Sequence, residues 1–159
     1  MGTMAYMAAL DAHDPQRGLF DRCEPKTGIE PFERLVKQVM ISEPYASAQR
    51  VFWIVDNGSS HCGQRSIDRL QGACPNLVLL HLPVHASWLN QLEIYFSILQ
   101  RKALTPRHFA SLSELENRIA NFQVDWQRDA TPIGWRYTRR DLNRLLERIK
   151  HHDQLPNAA

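Results

Sequence analysis

The run Val51-Phe52-Trp53-Ile54-Val55 closes on Asp56 and is followed by Asn57-Gly58-Ser59-Ser60-His61. A continuous apolar run bounded by turn residues reads as a strand buried on both faces of a sheet. Asp56 then falls at the carboxyl edge of that sheet, where open α/β folds place their chemistry. Downstream, Ser87-Trp88-Leu89-Asn90-Gln91-Leu92-Glu93 opens an amphipathic helix and supplies a second carboxylate. Acids brought together this way can hold a divalent metal for phosphoryl transfer.

Working outward, residues 77–82 form a second apolar run stopped by Pro83, and residues 66–71 read as a short helix ending at Gly72. Strand, helix, strand implies a right-handed crossover and parallel pairing. Upstream, residues 5–10 and 18–23 read as a hairpin, with turn chemistry in His13-Asp14-Pro15. The next helix has one apolar stripe, Phe32, Leu35, Val36, Val39 and Met40. Thr27 and Glu30 have capping-box spacing, and Pro31 suits a first turn. The helix carrying Glu93 is predicted to run to Lys102, burying Leu92, Phe96, Leu99 and Ala103, and to end at Thr105-Pro106. Ser111 and Glu114 open another, with Leu112, Leu115, Ile119, Phe122 and Trp126 on one face, broken at Thr131-Pro132. Thr138 and Asp141 open the last, with Leu142, Leu145, Leu146 and Ile149 inside. This order predicts an α/β layer with a mixed sheet and flanking helices. Residues 1–104 read as the core, 105–150 as helices packed on it, and 151–159 as a frayed tail.

A chain of 159 residues is one domain of ordinary size with a real core. The net charge of +2 does not by itself imply nucleic-acid binding. The basic residues Arg136, Arg139, Arg140, Arg144, Arg148 and Lys150 are concentrated at one end, with only Asp141 and Glu147 among them. That end suits phosphates, and equally a solvated helix face. The three cysteines are odd in number and form no CxxC, which points to a reducing cytosol. No transmembrane run, signal peptide or lipid-anchor motif is evident.

Asp56 ending a buried strand needs compensation from a cation or from loop amides, although an Asp before Asn-Gly also fits a plain turn cap. Asn90, Glu93 and Ser97 make a polar stripe, extended by Gln100 and Arg101, on a helix otherwise rich in large apolar residues. His61 could contact a phosphate or orient a water, or be a plain loop histidine. His61, Cys62, Cys74, His81 and His85 match no established zinc spacing. There is no Gly-rich phosphate loop and no GxSxG.

Asp56-Asn57-Gly58-Ser59-Ser60-His61, followed by Pro83-Val84-His85-Ala86-Ser87-Trp88-Leu89-Asn90-Gln91-Leu92-Glu93-Ile94-Tyr95-Phe96-Ser97, resembles the transposases of mariner-like bacterial insertion sequences. Thr27-Gly28-Ile29-Glu30-Pro31-Phe32, Gln100-Arg101-Lys102 and Leu104-Thr105-Pro106 carry the same likeness. The resemblance implies a ribonuclease-H-like integrase/transposase core whose three acids (Asp, Asp, Glu) bind two divalent ions, Mg²⁺ or Mn²⁺. Asp56 would be the second acid and Glu93 the third, with Asn57, His61, Asn90 and Ser97 in support. Arg101, Lys102, Arg136, Arg139 and Arg140 would face DNA. The implied reaction is in-line cleavage of DNA by water, then strand transfer of the 3′ hydroxyl to target DNA. Implied partners are insertion-sequence ends and target DNA, and a homodimer or full-length transposase.

The family's first acid stands on the first strand of the sheet, in an Asp-Glu-Lys context that Asp11, Asp14 and Asp21 all lack. The expectation is therefore the C-terminal part of a transposase, its core lacking the first strand and its helix-turn-helix modules, and inert as a nuclease alone. The alternatives are a non-catalytic fragment that binds DNA or full-length transposase and regulates transposition, and an unrelated α/β domain with a structural zinc.

Overall fold

The computed structural model describes residues 2–14, 18–83, 90–105, 108–129, 140 and 143–144. The chain runs β1 (Ala5–Leu10), β2 (Leu19–Glu24), α1 (Ile29–Met40), β3 (Val51–Val55), α2 (Gln64–Ala73), β4 (Leu77–His81), α3 (Leu92–Leu99) and α4 (Leu112–Asp129). β1 and β2 pair antiparallel, with Ala5 opposite Glu24 and Leu10 opposite Leu19. β3 and β4 pair in parallel, with Val51 opposite Leu77 and Val55 opposite His81. The hairpin and the parallel unit are those the periodicity predicts.

The single mixed sheet is not formed among the described residues. The strands make two separate pairs, β1–β2 and β3–β4. β3 is therefore not a central strand: β4 lies on one edge and no described strand on the other. Nor is it buried on both faces, since Phe52 and Ile54 point away from the core and are exposed. Strand propensity is local, whereas the neighbour on a free edge is set by tertiary placement.

α1 links the two pairs. Its Phe32, Val36 and Met40 pack with Val55, Leu70, Leu77 and Leu79 from β3, α2 and β4, and the helix also rests on β1 and β2. Arg34 donates to Glu24 at 2.8 Å and Arg22 donates to the same carboxylate at 3.1 Å, tying β2 to α1. The expected Thr27–Glu30 capping box is absent. Gly28 is the N-cap, at φ 152° and ψ −175°, and no side chain caps the helix. That backbone conformation is open only to glycine, so the turn into α1 displaces Thr27 from the capping position.

A second cluster joins Leu19, Tyr95, Leu99, Ala103 and Ile119 from β2, α3 and α4. α2 continues past Gly72 to Ala73, and its last carbonyl bond is made by the Cys74 N–H. α3 starts at Leu92 and passes into a π-helical turn, Gln100–Leu104, closed by Thr105 N–H on the Gln100 carbonyl at 2.8 Å. At the start of α4, Ser111 Oγ accepts from the Glu114 N–H at 3.1 Å. The return bond goes to Ala110 N–H at 2.7 Å, one residue earlier than in a standard capping box. The helix predicted from Thr138 lies mostly outside the described residues, but Arg140, Asn143 and Arg144 are helical and exposed. No described helix is long and apolar enough to cross a membrane.

Candidate active site at the end of β3

Asp56 directly follows β3, and the loop after it folds back onto its carboxylate. The His61 and Cys62 N–H groups both donate to the Gly58 carbonyl, at 3.1 and 3.0 Å, closing a tight turn. That turn aims the Gly58 N–H at Asp56 Oδ1, at 3.0 Å. It also brings His61 Nε2 to 2.7 Å from Oδ1 and 3.0 Å from the Asp56 carbonyl oxygen. Nε2 faces two acceptors, so it carries the ring proton, and Nδ1 accepts from the Ser60 hydroxyl at 2.9 Å. Gly58 has to be glycine for steric reasons. A Cβ there would lie 2.8 Å from His61 Cε1 and 3.0 Å from Asp56 Oδ1.

His61 is only 9 % exposed. Its ring lies against Phe32, centroids 4.6 Å apart, and stacks 6.4 Å from His81. His81 Nε2 donates to the His61 carbonyl at 2.8 Å. Asn57 Nδ2 donates to the Leu82 carbonyl at 2.9 Å, so it fastens the end of β3 to the end of β4. Burial pushes the Asp56 carboxyl up. The Gly58 N–H, the His61 bond and the electrostatic effect of the nearby His61 and His81 imidazoles outweigh this and hold it below the usual aspartate value. Oδ1 thus has two donors. Oδ2 accepts no hydrogen bond among the described residues, on a side chain 53 % exposed. The result is an ionised carboxylate with one oxygen anchored and one open.

Glu93 occupies the first turn of α3, exposed, and its carboxylate makes no hydrogen bond or ion pair among the described residues. Its neighbours in the polar stripe hold backbone. Asn90 Oδ1 accepts from Leu92 N–H at 3.1 Å, and Ser97 Oγ donates to the Glu93 carbonyl at 2.9 Å. The rotation of α3 is fixed from the opposite side. Tyr95 is fully buried, its hydroxyl 2.8 Å from that of Tyr6 and its ring 5.1 Å from Trp126.

Arg101, Lys102 and Arg140 are exposed, whereas Arg136 and Arg139 lie outside the described residues, as does His85. Asp56 and Glu93 share no hydrogen-bond or ion-pair partner among the described residues. No group of three or more His, Cys, Asp or Glu side chains is placed to hold a metal among the described residues. Of the candidate zinc set, His61, Cys62, Cys74 and His81 form no such group among the described residues: both His61 ring nitrogens and His81 Nε2 are engaged by protein oxygens, and His85 lies outside those residues. Sequence reasoning missed the role of His81 and Phe32 as clamps on His61. The parallel register that ends β3 and β4 at one edge was the available signal for His81.

The sequence matches the family model of the DDE superfamily endonuclease over residues 2–116. The chain belongs to that family. The match takes in the whole Asp56–His61 loop, Glu93 and both strand pairs. No curated protein and no solved structure matches the chain. Membership makes DNA the substrate class of this endonuclease domain, and DDE endonucleases typically use divalent metals. The carboxylate oxygens of Asp56 and Glu93 are of the hard-donor type that suits Mg²⁺ or Mn²⁺. They fit as individual ligands. They do not form a closed site among the described residues.

Proposed function

We propose that this DDE endonuclease domain is the C-terminal part of the catalytic domain of a mariner-like bacterial insertion-sequence transposase, acting in DNA strand cleavage and strand transfer. In this reading the core is ribonuclease-H-like, and Asp56 and Glu93 are the second and third of its three acids. The observation that carries the reading is the Asp56 carboxylate, ionised at the end of β3 with Oδ1 held by His61 and Gly58 and Oδ2 open. The exposed, unspent Glu93 carboxylate on a rotationally fixed helix supports it. So do the strand edges that have no neighbour among the described residues, since a strand between the pairs would join β1–β2 to β3–β4 and bring the remaining acid.

Bound Mg²⁺ or Mn²⁺ would activate the attacking water and stabilise the leaving oxygen of a phosphodiester. The chain's own part is to hold Asp56 ionised in one orientation, to present Glu93, and to bind the DNA backbone through Arg101, Lys102, Arg136, Arg139 and Arg140. The helices this reading assigns to residues 105–150 include α4, which packs on β2 and α3; beyond Asp129 the described residues are Arg140, Asn143 and Arg144.

A second reading is a non-catalytic fragment that binds DNA or full-length transposase and dampens transposition. The lack of a three-carboxylate group among the described residues favours it.

Cleavage assays separate the two. The 159-residue chain is expected to show little or no Mg²⁺- or Mn²⁺-dependent DNA cleavage. An N-terminal extension carrying an Asp-Glu-Lys strand should restore it, and Glu93→Gln in the extended protein should abolish it. Robust cleavage by the 159-residue chain would displace the assignment of the first acid. Cleavage that survives Glu93→Gln would displace that of the third. Salt-sensitive DNA binding without cleavage in either form would favour the second reading.

A further inference from the structure

Asp21 is a half-buried carboxylate on β2 that no step of the cleavage chemistry uses. The hairpin register sets Tyr6, Ala8 and Leu10 of β1 beside Cys23, Asp21 and Leu19 of β2. Side chains at alternate positions share a face, and this face packs on α3 and α4. Asp21 is the one carboxylate among these six residues.

A carboxylate on an apolar face costs free energy unless hydrogen bonds compensate it. Asp21 accepts them from the Tyr6 hydroxyl on β1 and the Gln123 amide on α4. The Tyr6 hydroxyl in turn lies 2.8 Å from that of Tyr95 on α3. The chain Tyr95–Tyr6–Asp21–Gln123 thus ties α3 to both hairpin strands and to α4. Apolar packing is non-directional, whereas a satisfied polar network specifies one arrangement.

Glu93 precedes Tyr95 by two residues, about 200° around the helix at ~100° per residue. The two side chains leave α3 on opposite sides, so whatever fixes Tyr95 fixes the bearing of Glu93. With the carboxylate ~6 Å from the axis, a rotation of about 20° would carry it roughly 2 Å, the length of a Mg²⁺–oxygen bond.

We propose that Asp21 is a positioning residue for Glu93: through Tyr6 and Tyr95 it sets the rotation of α3 on the hairpin, and with it the direction in which that acid is presented. The proposal rests on the reading of Glu93 as the third acid.

Spin-label distances from pulsed electron paramagnetic resonance on the full chain test it. In a Cys23→Ala, Cys74→Ala background, exposed Cys62 marks the Asp56 loop and Ser97→Cys marks the Glu93 stripe of α3. Asp21→Ala removes the acceptor and Asp21→Asn keeps it, while Tyr6→Phe keeps the ring and removes the hydroxyl. The Cys62 to Ser97→Cys distance distribution should widen about twofold in Asp21→Ala and in Tyr6→Phe, and keep its native width in Asp21→Asn. A control pair, Cys62 with Lys37→Cys on α1, should not change in any variant. A native width in Asp21→Ala or in Tyr6→Phe would overturn the proposal, since α3 would then be oriented without the chain. Equal widening of the control pair would also overturn it, because Asp21 would then support the fold in general. Widening in Asp21→Asn would do the same, because the hydrogen bond would not be what orients α3. None of these readouts uses cleavage. Cleavage by the N-terminally extended protein that survives Glu93→Gln would remove Glu93 from the site while leaving α3 anchored, so the two failures are distinct.

Discussion

His61 Nε2 stands 2.7 Å from Asp56 Oδ1, and the ring that makes this bond is clamped between Phe32 and His81. The acid at the end of β3 is therefore held by its own loop, whose His61 ring rests in turn on Phe32 of α1 and beside His81 of β4. Restraint of this kind matters for a metal ligand, because a carboxylate free to rotate loses affinity when it is ordered on binding.

Because the Asp56 carboxyl is held below its usual range, it contributes stability that is complete above the ordinary aspartate value and lost as pH falls through its folded value. His61→Ala removes the hydrogen bond to Oδ1. The Asp56 midpoint, followed by carboxyl ¹³C NMR, should rise toward the usual aspartate value. The loss of stability on acidification should shrink accordingly. An unmoved midpoint would show that the Gly58 N–H alone holds the carboxylate.

Gly58→Ala should act on the same pair without removing either partner. Its Cβ would sit 2.8 Å from His61 Cε1, in a turn that cannot widen without breaking the His61 and Cys62 bonds to the Gly58 carbonyl. We expect about 1 kcal/mol of destabilisation in urea titration, with a rise in the Asp56 midpoint. Wild-type behaviour in both measurements would mean that the loop has room to relax.

Glu24 offers a second pH-dependent contact, remote from the site. Its bonds to Arg34 and Arg22 outweigh burial and hold its carboxyl at about 2, against an ordinary 4.5. The stabilisation is present above 4.5 and drains away as pH falls toward 2. Thermal melting between pH 6 and pH 3 should therefore fall more steeply for the native chain than for Arg34→Met. Parallel curves would assign the effect to other carboxylates.

Tyr95→Phe should cost about 1 kcal/mol, because the part-buried Tyr6 hydroxyl loses one of its two partners and keeps Asp21. Adding Tyr6→Phe should cost less than the sum of the single changes, since both remove the same hydroxyl–hydroxyl bond. In the native chain, burial pushes the Tyr95 hydroxyl up to about 12, so no phenolate absorbance from it should appear below pH 11. Additive losses in the double variant would mean that the two hydroxyls do not interact.

The elements were largely legible. The stripe Phe32, Leu35, Val36, Val39 and Met40 is buried as its spacing requires, and the hairpin and parallel pair occur where the apolar runs placed them. The helix starts were less so. Thr27 lost the capping position because Gly28 reaches a conformation closed to other residues. Tyr95 is the most buried side chain of α3, yet the predicted apolar face omitted it. The stripe through Leu92, Phe96, Leu99 and Ala103 passes it by, and the partner that meets its hydroxyl is 89 residues away.

The sequence by itself determined where apolar side chains recur with periods of two and 3.6, hence which segments are strands and helices and that Asp56 terminates a strand. Those properties are local, because each follows from the burial of neighbouring side chains on one face. Only the tertiary structure decided that, among the described residues, β3 has no strand on its second edge and exposes Phe52 and Ile54 on one face. It also decided that His61 and Gly58 take one oxygen of Asp56 and leave the other open, and that His81 holds His61 in turn. A hydrogen bond needs two atoms about 3 Å apart at a set angle, and no periodicity in a chain specifies which distant polar group will satisfy that condition.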